Sequence, residues 1–239
     1  RDGSSRIVRL TPKNTITIAS SISNGAGAAL LAAEQDTKGL ISGVAASEPQ
    51  VQPAPSSAYS VRQGGVVVNA PGRALFDYAT YAALYQPCIA SVAGSAGRCT
   101  ALVSKGLLNG ADLASQQADA KKRLQAYGWL SDSDPLQAAH AGTNILVAVT
   151  YAYAYGKFSV TDTVCGFTFA QTDGTGNPVA YTSAQKAASF AAQNGILGNV
   201  VYEDSAGGAK VYTAGVSPST SLADQSLDGF LCLRSLATG

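Results

Sequence analysis

The sequence predicts an α/β fold, a parallel sheet carrying a large and mainly helical insertion, and three stretches support it. Thr15-Ile16-Thr17-Ile18 is a run of β-branched residues suited to the half-buried surface of a strand. From Gly25 to Ala33 the residues are small or good helix formers without β-branching, so a helix follows an abrupt turn. Ile41 to Ala46 is a second strand, and the single crossover helix before it implies a parallel pair.

Glu48-Pro49 follows at the carboxyl end of that second strand, where the sites of open α/β sheets lie. The next stretch, VQPAPSSAYSVRQGG, carries prolines and small polar residues and reads as a loop leaving the sheet. Leu75 to Tyr85 is an aromatic-rich helix, and Ala111 to Tyr127 is another, capped by Asn109 and ended by Gly128. Asp134-Pro135 opens a helix that runs through His140 towards Tyr155. Ser183 to Gln193 forms a helix stopped by Asn194-Gly195. Asn199 to Ala214 reads as a hairpin about Gly207-Gly208, and Ser221 to Leu236 as a last amphipathic helix. The expected organisation is a strand–helix–strand portion over 1–65, a helical insertion over 66–200, and a hairpin with a terminal helix over 201–239, leaving an incomplete core.

The chemistry concentrates at Ser21-Ile22-Ser23-Asn24-Gly25, between the first strand and its helix. This is a variant of the G-x-S-x-G nucleophile elbow of α/β-hydrolases, with Ser21 in the place of the first glycine. Small residues must flank such a serine because strand and helix nearly touch across the turn. Only Ser23 has a small residue two before it and a glycine two after it, which makes it the candidate nucleophile. The backbone N–H of Asn24, at the positive end of the helix, is the candidate oxyanion donor. A simple N-cap role for Ser23 or Asn24 competes with this assignment.

The run IASSISNGAGAALLAAEQDTKGLISGVAASEPQV resembles the segment of the bacterial D-(−)-3-hydroxybutyrate oligomer hydrolases in which a serine in an S-x-S-N-G turn precedes a helix ending in A-A-E-Q-D and a strand leading to S-E-P. The later stretch YAYAYGKFSVTDTVCGFTF is also similar to that family, so the resemblance spans most of the chain. It implies an α/β-hydrolase-type serine esterase, a small-molecule ester oligomer as substrate, and no cofactor. Members of this family run much longer, with acid and histidine on later strands, which implies that the remainder of the same polypeptide completes the site. The opening RDGSSRIVRL leaves few residues before the nucleophile strand, so the chain reads as a piece of a longer protein.

Composition sets the outer bounds. The chain has 239 residues, 46% of them hydrophobic and 13% charged, with net charge +1. Its densest basic run, Lys121-Lys122-Arg123, is the solvated face of a helix, so nucleic acid is not an expected partner. No apolar stretch reaches the length of a membrane span, and no signal peptide is evident. The four cysteines match no zinc spacing, and a single histidine argues against a metal site. Cys88 and Cys99 flank a Gly/Ala/Ser-rich loop suited to a disulfide clamp, which leaves Cys165 with Cys232. An even count without another redox motif favours an oxidising compartment, hence a secreted or periplasmic bacterial protein.

A serine hydrolase also needs an acid and a base. Glu48, at a strand end, is the best local acid. His140 sits among alanines in the insertion and is not the expected base, and the family resemblance implies that both partners lie outside this segment. The aromatics Phe76, Tyr78, Tyr81, Tyr85, Tyr127, Trp129, Tyr151, Tyr153 and Tyr155 are mainly core, with a few available to wall an apolar cleft. The alternative is a non-catalytic module holding an apolar ligand or partner, which a fluorophosphonate label would distinguish from an esterase.

Overall fold

The computed structural model describes residues 10–11, 13–49, 58–63, 65–172, 178–192, 200–203, 209–212 and 226–238. Its chain divides into two compact units, Arg1–Ala54 and Pro55–Gly239.

The first unit is the strand–helix–strand element. Strand β1 (Ile18–Ile22) leads to α1 (Asn24–Glu34) and β2 (Gly43–Ser47), and β1 and β2 pair in parallel from Ile18↔Gly43 to Ile22↔Ser47. The strand is displaced along the chain from the β-branched run, taking Ser20 and Ser21 in and leaving Thr15 to Thr17 out. Ladder bonding to β2 outweighs the weak strand preference of serine. The crossover closes through Asp36, whose Oδ2 accepts from the Ile41 amide at 2.6 Å, and through Ser42, whose Oγ accepts from the Thr17 amide at 3.1 Å.

The second unit begins with a hairpin of β3 (Ala58–Gln63), where a loop was expected, and β4 (Val66–Pro71), where the helical insertion was expected to start. Val66-Val67-Val68 supplies a β-branched strand, and Gly65 with φ 83° makes the tight return. There follow α2 (Leu75–Ala90), α3 (Gly97–Ser104), α4 (Leu113–Tyr127) and α5 (Ala141–Gly156). Next come β5 (Phe167–Thr172), β6 (Pro178–Ala180), α6 (Ser183–Ala192), β7 (Val200–Glu203), β8 (Ala209–Tyr212) and α7 (Leu227–Thr238). The last four strands form an antiparallel sheet in the order β6-β5-β7-β8. The expected hairpin is thus β7 and β8, while its Gly207-Gly208 turn and the stop at Asn194-Gly195 lie outside the described residues.

Helix α2 is the axis of this unit, packed against α3, α4, α5 and α7. It is buried from Phe76 to Ile89 apart from Tyr78 and Tyr81, as expected of a helix apolar on most of its faces. Pro87 lies inside it, and a proline there removes the amide that would bond the Ala83 carbonyl. Arg98, fully buried on α3, replaces it: Nη1 donates to the carbonyls of Ala83 at 2.8 Å and Leu84 at 3.1 Å. Its Nη2 donates to Ser226 Oγ at 3.1 Å, and the guanidinium carbon lies 4.6 Å from the Phe230 ring centroid. At the end of α2, the Gln117 amide donates to the carbonyls of Cys88, Ile89 and Ser91.

Helix α4 is capped by Asp112 rather than Asn109: Asp112 Oδ1 accepts from the Ser115 amide at 2.8 Å and Ser115 Oγ from the Asp112 amide at 3.2 Å. Its end at Gly128 is as expected, with φ 121° and a Cβ there only 2.8 Å from the Tyr78 hydroxyl. Both expected disulfides are present, Cys88–Cys99 tying α2 to α3 and Cys165–Cys232 tying the approach to β5 to α7.

Candidate active site

The turn between β1 and α1 narrows to one residue. Ile22 is the last strand residue and Asn24 the first helical one, so Ser23 alone makes the reversal. It does so at φ 56°, ψ −125°, a backbone conformation that costs a non-glycine residue about 1–3 kcal/mol. Ordinary N-caps adopt extended backbone and accept an amide hydrogen bond through the side chain, whereas Ser23 does neither. The helix-start role therefore does not account for this serine.

Two close approaches hold the turn. The Ser23 amide donates to the Ser47 carbonyl at 3.0 Å, which extends the β1–β2 ladder into the turn. A Cβ on Gly25 would stand 2.2 Å from Ser21 Oγ and 3.1 Å from Ser21 Cβ. That contact is the reason for small residues on both sides of Ser23. Helix α1 begins its bonding with the amides of Ala26 and Gly27, which donate to the Ser23 carbonyl at 3.0 and 3.3 Å. The amides of Asn24 and Gly25 therefore precede the first intrahelical donor, at the positive end of the helix dipole. An exposed hydroxyl on a strained turn, beside a helix-start amide, is an arrangement suited to nucleophilic attack and oxyanion stabilisation.

Glu48 follows the last residue of β2, is exposed, and also has a left-handed backbone at φ 49°. It lies one residue beyond Ser47, whose carbonyl holds the Ser23 amide. His140 belongs to the second unit and is exposed. Instead of lying mid-helix it occupies the N-cap of α5, after a 3₁₀ turn over Ser131–Leu136. Proline at 135 suits the tighter turn, and the helix restarts only at Ala141.

The aromatics of the second unit, expected to be mainly core, are more often half-buried. Phe76, Tyr85 and Tyr153 are buried, Tyr78, Tyr81, Tyr127, Trp129 and Tyr151 half-buried, and Tyr155 is exposed. Burial pushes the Tyr153 hydroxyl up to about 12, and it donates to the carbonyls of Asp162 at 2.5 Å and Phe167 at 2.9 Å.

A charged cluster escaped the sequence. Tyr127 stacks on Tyr81 with centroids 3.6 Å apart, and its hydroxyl donates to Asp77 Oδ1 at 2.6 Å. That hydroxyl accepts from Arg73 Nη1 at 3.1 Å and from Arg234 Nη2. Arg234 Nη1 also donates to the Asp77 carboxylate and, at 3.1 Å, to the Asp77 carbonyl. Arg73 lies with its guanidinium carbon 3.8 Å from the Tyr127 ring centroid. Burial, reinforced by the hydrogen bond to Asp77, holds the Tyr127 hydroxyl above its ordinary range. Only the i,i+4 spacing of Arg73 and Asp77 hinted at this cluster, because Tyr127 and Arg234 arrive from distant helices.

Among the described residues no group of acidic, histidine or cysteine side chains could hold a metal ion, and no helix is long and apolar enough to cross a membrane. No solved structure matches this chain. Among curated proteins, the chain is 46% identical to the D-(−)-3-hydroxybutyrate oligomer hydrolase of Polaromonas naphthalenivorans, over 100% of its own length and 37% of the relative's. To the protein of the same name from Albidiferax ferrireducens it is 44% identical, over 100% of this chain and 37% of that one. To that of Cupriavidus metallidurans it is 40% identical, over 97% of this chain and 35% of that one. The chain thus spans little more than a third of these relatives. The family model described as 3HB-oligomer hydrolase matches residues 1–239, and the chain belongs to that family.

Proposed function

We propose that this chain carries the nucleophile of a carboxylic-ester hydrolase acting on 3-hydroxybutyrate oligomers. Ser23 Oγ attacks the ester carbonyl while a histidine base takes its proton, and the Asn24 amide holds the developing oxyanion. The alcohol end of the oligomer leaves with a proton from that histidine, and water then releases 3-hydroxybutyrate from Ser23. The observation that carries this function is the backbone of Ser23, φ 56° and ψ −125°, at a one-residue strand-to-helix reversal. The substrate rests on the name that the relatives share.

The fold in which this works is an α/β-hydrolase sheet, completed by the rest of a longer polypeptide that also brings the acid and base. Exposure in the first unit supports it: Ile18 is 54% and Ile22 62% exposed, whereas parallel sheets are normally covered on both faces. A two-stranded parallel sheet is also too small to stand alone. Two disulfides fit an oxidising compartment, which supports a secreted or periplasmic site of action.

The test is a fluorophosphonate label on the full-length protein, followed by peptide mapping. Modification at Ser23, lost in Ser23→Ala together with oligomer cleavage, is the expected result. Labelling at another serine, or cleavage reduced only a few-fold in Ser23→Ala, would overturn the assignment.

A further inference from the structure

The Arg73–Asp77–Tyr127–Arg234 cluster carries more positive charge than its own fold needs. Arg234 already satisfies Asp77, donating to both its carboxylate and its carbonyl. Tyr127 is also saturated, because its hydroxyl donates once, to Asp77, and accepts twice, from the two arginines. Arg73 remains under-used. Its Nη1 serves the Tyr127 hydroxyl at 3.1 Å and stands 3.6 Å from Asp77 Oδ2. Its Nε is buried without a hydrogen-bond partner among the described residues, a costly state for a cationic donor. The Arg73 side chain is 30% exposed, and the Tyr127 ring beneath it fixes the plane of its fork.

We propose that Arg73, supported by Tyr127 and Arg234, binds the carboxylate of a short hydroxy acid or of an acid-ended oligoester. Two guanidinium groups against one carboxylate leave the cluster one positive charge in excess, which a single carboxylate neutralises. A neutral polyester chain offers only uncharged ester carbonyls to the guanidinium, whereas a short oligomer ends in a carboxylate on every molecule. The cluster thereby selects short, acid-ended chains over neutral ones. The identity of the acid rests on the hydrolase function proposed above, while the carboxylate site rests on the cluster alone.

The test uses the full-length protein in a Ser23→Ala background, so that binding is read without turnover. Calorimetry compares the 3-hydroxybutyrate trimer as free acid with its methyl ester. The acid is expected to bind roughly tenfold more tightly than the ester, from one charge-assisted contact. Arg73→Gln should abolish that difference, and Arg73→Lys should restore only part of it because the planar fork is lost. Matching circular dichroism and melting curves confirm that the variants are folded. Free 3-hydroxybutyrate, run in parallel, separates the sources: if Arg73→Gln weakens only the monomer, the cluster serves product, and if it weakens the trimer acid, it serves substrate. Acid and ester binding alike, or an acid preference that survives Arg73→Gln, would overturn the site. Failure of the Ser23-intact protein to cleave the trimer would overturn the hydrolase function instead, leaving the calorimetric comparison to decide the carboxylate site.

Discussion

The amide of Ser23 donates to the carbonyl of Ser47 at 3.0 Å, one step beyond the last pair of the β1–β2 ladder. This bond makes the reversal at Ser23 an extension of the sheet rather than a free loop. The strand holds the residue from one side and α1 from the other, so a strained φ of 56° persists.

Relief of that strain should separate stability from chemistry. Ser23→Gly is expected to raise unfolding stability by about 1 kcal/mol, since glycine adopts positive φ at little steric cost. The same change should abolish labelling and turnover. Denaturant midpoints of the full-length protein check the first outcome, and a lowered midpoint would show that Ser23 is unstrained.

Gly25 and Ser21 are expected to behave as a coupled pair. Gly25→Ala places a Cβ 2.2 Å from Ser21 Oγ and should distort the elbow, costing activity first and stability by about 1–3 kcal/mol. Adding Ser21→Gly should recover most of both losses. Additive losses in the double-mutant cycle would place the clash elsewhere.

The two disulfides close loops of different length, 11 and 67 residues apart in sequence. On chain-entropy grounds Cys232→Ser should cost about 4 kcal/mol and Cys99→Ser about 3 kcal/mol. Non-reducing peptide maps should show Cys88 with Cys99 and Cys165 with Cys232. Four thiols open to alkylation in protein from its natural route would remove both bridges and the argument for export.

Tyr153 sets part of the alkaline limit. Its folded pKa, about 12, is raised from the ordinary value of 10.0 by burial, so its contribution is complete below about pH 10 and is lost as pH climbs towards 12. Tyr153→Phe should therefore flatten the fall in melting temperature between pH 10 and 12. At pH 7 it should cost about 1–2 kcal/mol by removing the Tyr153 donor from the Asp162 carbonyl, while the Phe167 carbonyl keeps the Val164 amide. An unchanged alkaline limb would assign the loss to Tyr78, Tyr81 and Tyr127, which burial also raises.

By itself the sequence determined what depends on near neighbours. The order strand, Ser23, helix, strand was legible because β-branched residues, small residues and glycine each act within a few positions. The same holds for the end of α4 at Gly128 and for the clamp from Cys88 to Cys99. Tertiary structure decided the rest. Which serines joined β1 was settled by pairing with β2, and the 58–63 strand by its partner across the hairpin. Arg98 looks like any surface arginine until Pro87 strips the Ala83 carbonyl of its partner and Ser226, 128 residues away, closes the buried site. Arg234 meets Asp77 across a separation of 157 residues. Such contacts leave no local pattern, because a charge is buried only where folding brings donors and acceptors together from distant elements.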